Sequence, residues 1–392
     1  MIPKPLNEIT VAVIQDLKAA GVQEGRNIEY KRELPGTRDE DKREFLADVS
    51  SFANTDGGDI IFGVGEDEGV ITDIIGVSSP DFDAQILRLE NLIRDGVSPR
   101  VSVSFQAVPC AAGKVMVVRI EKSWIGPHRV IFRGHDKFYG RTSAGKFALD
   151  VNQLRAQFLQ SASLSERISG FRVDRMIGIA NDRAPVSLVK APTLVLHIIP
   201  PGALSNQVEF DVTVFYRNPA VHRPWSGSGW DRRMTFDGVL LYTPTDLDGR
   251  VSFYTHFYRS GILESVSTVL LEAHLAQERR LIPHVALEGQ VLEYLPRCLQ
   301  SLEQVGVRPP VSVSIALIGV RGLRMAPGAH NIDYGNEIRE ETLLLPAAVI
   351  DSLSTPAAPI LKPMYDRIWN ACGLISSPNF DGQGNWAPII RI

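Results

Sequence analysis

Cysteine is scarce in this sequence: Cys110, Cys298 and Cys372 are its three thiols, spread over 392 residues. No two are spaced as a ligand pair, which argues against a disulfide framework and against a thiolate zinc site. The eight histidines are scattered, with no His-Glu-x-x-His helix, so a histidine zinc site is not expected either. No apolar run approaches the length needed to span a bilayer. The N-terminus, MIPKPLNEIT, lacks a basic stretch followed by an apolar core. No signal peptide is therefore expected, and the chain reads as cytoplasmic with no membrane partner. Positive charge is not in surplus, since the formal net charge is −4. A strongly basic chain would advertise nucleic acid; here any such role has to rest on a local patch. Internal repeats and low-complexity tracts are missing too.

What is present is ample apolar content over a length that favours two domains. Leu6, Ile9, Val13 and Leu17 recur at helical spacing until Gly21 stops them. Ile28 and Tyr30 alternate with Glu29, Lys31 and Glu33, the period of a strand with one wet face. A helix is expected from about Arg38 to Asn54, with Phe45, Val49 and Phe52 inward and Asp39, Glu40 and Asp41 near its positive end. Strands follow at about 59–64 and 70–75, then a helix opened by Ser79-Pro80-Asp81 and closed by Gly96. Val101/Val103/Phe105 and Val115/Val117 read as a hairpin. Further strands are expected around 129–133 and 137–141, and Asp150 caps a helix bearing Leu154 and Phe158. The pattern is α+β: a first domain over 1–160, a linker over 161–170 at Ser161-Ala-Ser-Leu-Ser165, and a second α+β domain over 171–392. In the second half, strands are expected at 193–199, 208–215, 236–242, 251–258 and 311–319. Helices are expected at 262–278, 284–304 and 360–371, with Phe257–Glu264 as a strand-to-helix passage. Trp225–Trp230 reads as an exposed loop.

Glu24 and Glu29 are five apart, which places them on opposite faces of a strand and far around a helix. They converge only if the chain bends between them, and Gly25 permits such a bend. The bland alternative is a solvated strand face on which Glu29, Lys31 and Glu33 pair at little energetic gain. The turn Asn54-Thr55-Asp56-Gly57-Gly58 has a structural reading as a left-handed helix stop followed by a close strand start.

Three segments, EGRNIEYK (24–31), FANTDGGDIIFGV (52–64) and FYGRTSAGK (138–146), resemble the Schlafen-type AlbA-like domain, a nucleic-acid-binding domain of bacterial proteins. The resemblance implies an N-terminal α/β domain with a mixed sheet. It also implies that Glu24, Glu29 and a third acid after the Gly-Val strand hold Mg²⁺ or Mn²⁺ in members that cut RNA, with Lys31 beside them. In this chain Gly65 stands where that acid is common, leaving Glu66 or Asp67 as candidates. A two-lobed clamp on the nucleic acid, implied in the same way, would here require a homodimer.

Downstream, Lys122, Arg129, Arg133, Lys137, Arg141 and Lys146 outnumber Glu121 and Asp136. His128, His135, Trp124, Phe138 and Tyr139 are interleaved. Cations with aromatic rings suit a phosphate backbone carrying unstacked bases; a solvated β-ribbon is the alternative. Gly140–Lys146 resembles a phosphate-binding loop, but Phe147 lacks the hydroxyl that such a loop uses and no helix begins at once. Gly63, Gly65 and Gly69 precede a strand, so they are not a dinucleotide fingerprint. Three functions are thus open. The first is a nucleic-acid-binding, metal-dependent endoribonuclease acting on structured RNA such as tRNA, in a defence or stress setting. The second is a non-catalytic DNA- or RNA-binding transcriptional regulator, and the third an ATP-binding protein.

Overall fold

The computed structural model describes residues 1–392 apart from 80, 206–208, 220–224, 226–228, 272–279, 327–334, 351 and 389–392. The chain divides into two compact units, Met1–Ser165 and Glu166–Ile392.

In the first unit the order is α1 (Val11–Ala19), β1 (Ile28–Lys31), α2 (Asp39–Ala53), β2 (Gly58–Phe62), β3 (Val64–Asp67), β4 (Val70–Ile74), α3 (Phe82–Gly96), β5 (Val97–Ser98), β6 (Val103–Cys110), β7 (Gly113–Ile120), β8 (Arg129–Val130), β9 (Lys137–Thr142), β10 (Gly145–Ala148) and the start of α4 (Val151–Ala180). A mixed sheet runs β1-β2-β7-β6, with β1 and β2 parallel and the rest antiparallel. Both its faces are covered, so β2 is apolar at consecutive positions rather than alternating. Ile60 and Phe62 pack with Phe45, Val49, Phe52, Leu89 and Ile93 of α2 and α3. Ile61 packs the other way, with Val13 and Ile14 of α1 and with Tyr30. A smaller antiparallel sheet runs β10-β9-β8-β5, and β3 pairs with β4 alone. The Asp81 carboxylate caps α3 by accepting from the Ala84 N–H at 2.9 Å.

The second unit has β11 (Thr193–Ile199), α5 (Thr213–Arg217), β12 (Asp231–Met234), β13 (Gly238–Tyr242), β14 (Phe253–Tyr258), β15 (Leu263–Ser267), β16 (Leu281–Ile282), α6 (His284–Gln304), β17 (Val311–Ile318), β18 (Arg324–Met325), β19 (Thr342–Leu344), β20 (Ala348–Ile350) and α7 (Ala357–Ala371). Its antiparallel sheet runs β12-β13-β14-β15-β11-β17-β19, with β20 also on β17. Leu196, Val313 and Ile315 meet α6 and α7 on one face; Val195, Tyr254 and Val266 meet Met176 and Ile179 on the other. The α+β class expected from the pattern is the class observed.

Three expectations are corrected. The segment 161–170, within which the two units divide, is helical rather than extended, inside α4; nothing between Val151 and Glu166 is glycine or proline, and Leu164 is buried, so small polar residues alone do not end a helix. The stretch 262–278 begins as strand β15, because Gly261 at φ +88° closes a hairpin from β14, and 272–279 lie outside the described residues. The stretch 208–215 gives no strand but leads into α5, while 208 itself lies outside the described residues. Most of the Trp225–Trp230 loop lies outside them as well.

Candidate functional site

The chain does fold back between the two early glutamates. The Gly25 N–H donates to the Ile28 carbonyl at 3.0 Å, and the Glu24 N–H to the Gly69 carbonyl at 2.7 Å, which sets Glu24 beside the β3–β4 turn. The Glu24 carboxylate accepts from the Tyr30 N–H. Burial, and then the Glu24 charge, push the Tyr30 hydroxyl up to about 12.

Glu29 points to a guanidinium. The Arg141 side chain is 1% exposed and donates to Glu29, to the Gly25 carbonyl at 2.8 Å and to Asp48 at 3.4 Å. Its plane lies 4.3 Å from the centre of the Phe52 ring. Burial pulls Arg141 down to about 10 against the opposing Glu24 charge, so it remains a cation at neutral pH. Asp48 is buried in α2 and also receives Lys146 at 2.8 Å. Burial raises its carboxyl while Lys146 and Lys31 pull it back. Lys31 closes the cluster with Glu29 at 2.8 Å.

Asp48 is the residue that sequence reasoning missed. Its signal was readable, because it sits three positions after Phe45 on the stripe that α2 buries, where an acid demands a cation. Arg141 and Lys146, expected to grip phosphates, are instead held by this acid cluster. Arg141 spends three of its five donors on these partners, and its side chain is 1% exposed, so it presents little to a ligand.

Glu66 and Asp67 are exposed at the end of β3, and Glu66 accepts from its own turn at Gly69, 3.0 Å away. Among the described residues no group of three or more His, Cys, Asp or Glu side chains is arranged to hold a metal ion. The donor set agrees: Glu29 is taken up by Arg141 and Lys31, Glu24 by a backbone amide, Glu66 by its turn. In this arrangement Glu24, Glu29 and Glu66 each serve another partner, and Asp67 is exposed beside them, so the four do not form a ready oxygen cage for Mg²⁺ or Mn²⁺.

The remaining cations lie outside. Arg129 and Lys137 sit on β8 and β9, in register opposite Phe138 and Val130. Arg133 lies in the connecting loop at φ +47°, its side chain 69% exposed. Arg129 pairs with Asp136 at 3.0 Å, Arg133 with Asp39 at 2.8 Å and Lys122 with Asp56 at 3.4 Å. All three are surface pairs, worth at most about 1 kcal/mol. The Lys122 ammonium also stands 5.1 Å over the Trp124 ring.

The turn between α2 and β2 carries both groups. Asn54 donates to the His128 and Tyr139 carbonyls at 2.8 and 2.9 Å and accepts from the His128 N–H, tying β8 and β9 to the turn. The Thr55 hydroxyl accepts from the Arg141 N–H at 3.0 Å. Gly140–Lys146 is a hairpin, Lys146 opposite Arg141 and Gly145 opposite Thr142. It is not a phosphate loop, and its lysine is spent on Asp48.

Residues 24–150 match the family model described as Schlafen, AlbA_2, so the resemblance carried by the three segments holds over that span. Among solved structures the chain is similar to the DIP2311 protein from Corynebacterium diphtheriae, at 18% identity over 37% of this chain and 27% of that one, TM-score 0.26. It is also similar to the N-terminal domain of an ATP-dependent DNA helicase RecG-related protein from Nitrosomonas europaea, at 22% identity over 29% of this chain and 74% of that one, TM-score 0.24. The chain thus spans about a quarter of the length of the first of these. A search of curated proteins found no match. Among the described residues no helix is long and apolar enough to cross a membrane.

Proposed function

We propose that the N-terminal unit, whose residues 24–150 match the Schlafen, AlbA_2 family, binds nucleic acid, RNA ahead of DNA, through the exposed ribbon of Arg129, Arg133 and Lys137. The observation that carries this reading is the division of the cations into two sets. Arg141 and Lys146 are consumed by buried carboxylates, whereas Arg129 and Arg133 are held by exposed acids only. Exposed pairs exchange readily, so a phosphate can replace Asp136 or Asp39 at little cost and release counterions as it does so. Two such ribbons in a homodimer would grip one nucleic acid from both sides, and sedimentation with and without RNA reads that assembly.

A second reading is metal-assisted cutting of structured RNA such as tRNA, in defence or stress. It is favoured by one feature: Glu29 pairs with the Arg141 guanidinium and the Glu24 charge acts on that same group. It requires Arg141 to withdraw from them first. Labelled tRNA and single-stranded DNA, titrated at 50 and 200 mM salt with Mn²⁺ and with chelator, separate the two. Salt-dependent binding without new fragments is expected. Fragments that need Mn²⁺ and vanish in Glu29→Gln would favour cutting, and absence of binding to either strand would sink both readings.

A further inference from the structure

A cleft of about 340 Å³ opens in the N-terminal unit beside the Asn54–Asp56 turn; Arg129, Arg133 and Lys137 do not line it, and Arg141 of the acid cluster borders it. Its volume is in the range that takes one small-molecule-sized group. One wall is the Trp124 indole, half-buried, with the Lys122 ammonium over the ring. The first turns of α4 also line it, with Gln153, Gln157 and Gln160 at helical spacing on one stripe. Gln153 is committed to a reciprocal cap with Asp150 at 2.8 and 3.0 Å. The Gln157 amide nitrogen donates to the Asn54 carbonyl at 2.9 Å, which turns its amide oxygen loose as an acceptor. Gln160 is exposed. Phe147 adds an apolar side chain to the lining. At the mouth, Arg26 and Lys122 share the single carboxylate of Asp56, a local surplus of one positive charge.

An aromatic plane, amide groups with both donors and acceptors, and a cationic rim are the complement of a nucleotide: base face, base edge and phosphate. We propose that this cleft receives one unstacked nucleotide, its base against Trp124, its edge read by Gln157 and Gln160, and its phosphate at Arg26 and Lys122. The proposal rests on the nucleic-acid reading above and adds to it that the bound strand is single-stranded at this point. The same chemistry could be supplied by a free mononucleotide, and the test separates the two sources.

The test measures fluorescence anisotropy of a labelled single-stranded 12-mer RNA and of a blunt RNA duplex. Four proteins are compared: the unsubstituted chain, Trp124→Ala, Trp124→Phe and Arg133→Ala, with melting curves to verify folding. Adenosine monophosphate and cytidine monophosphate are added as competitors. Loss of one stacked base predicts about tenfold or greater weakening of single-strand binding in Trp124→Ala, recovery in Trp124→Phe and an unchanged duplex affinity. Should Trp124→Ala bind the single strand as tightly as the unsubstituted chain while Arg133→Ala weakens both ligands, the cleft proposal is overturned and nucleic-acid binding stands. Should the unsubstituted chain bind neither ligand, the nucleic-acid reading fails and takes the cleft with it. Displacement of the single strand by micromolar mononucleotide would overturn the strand as occupant in favour of the free nucleotide.

Discussion

Arg141 shows how one side chain decides what its neighbours can do. Its guanidinium spans Glu29, Asp48 and the Gly25 carbonyl, so removing it leaves two carboxylates at low exposure with only the half-buried Lys31 and Lys146 to balance them. Breaking such a pair from one side costs about 3–5 kcal/mol, and Arg141→Ala should lower the urea midpoint of the N-terminal unit accordingly. Arg133→Ala and Lys137→Ala should leave that midpoint unchanged. Each should instead reduce the slope of log K against log salt by about 1 in a nucleic-acid titration. A reversal, with Arg141→Ala stable and poor at binding, would return Arg141 to the phosphate ribbon.

At the level of elements, the α2–β2 turn is the joint on which the mixed sheet and the β8–β9 ribbon both depend. Gly57 stands at φ +71°, where an added Cβ would lie 2.7 Å from the Ile120 carbonyl and the Lys122 nitrogen. Gly57→Ala meets both a backbone region that L-residues rarely adopt and backbone atoms that cannot give way. We expect a loss of about 1–3 kcal/mol or more in chemical denaturation. Asn54→Ala removes three hydrogen bonds to His128 and Tyr139. Leaving those partners unsatisfied should cost about 1–3 kcal/mol. Hydrogen exchange should show the amides of 128–139 opening before those of β2. Equal protection in the variant and the parent would count against the joint.

At the scale of the whole molecule, acid sensitivity should come from the C-terminal unit. His256 is buried there, and burial holds its imidazole down to about 4 against the pull of Glu264 and Asp237. The unfolded chain takes up a proton near pH 6.5 while the folded one waits until about 4, so stability falls as pH drops through that window. The difference amounts to roughly 3 kcal/mol at full effect. Glu264 adds to it in the same direction. Burial alone would raise its carboxyl, but Arg175 and His197 hold it well below the usual range. Its contribution is present above the unfolded value and is lost as pH falls past it. His256→Phe should flatten the urea midpoint between pH 6.5 and 4; an unaltered slope would move the titration elsewhere.

The sequence by itself determined the local frame: α2, the hairpin of β6 and β7, the opening of α3 near Ser79 and Asp81, strand β11, helix α6 and the glycine turn all follow from period, caps and breakers acting within a few residues. The same short-range physics misread 161–170 and 262–278, since a serine-rich stretch and a glycine corner are each compatible with more than one element. Only tertiary structure decided the fate of the charges. Glu29, Asp48 and Arg141 are far apart in the chain, and sheet pairing brings β9 against α2. Which cation meets which acid depends on burial, and burial belongs to the folded whole rather than to any spacing.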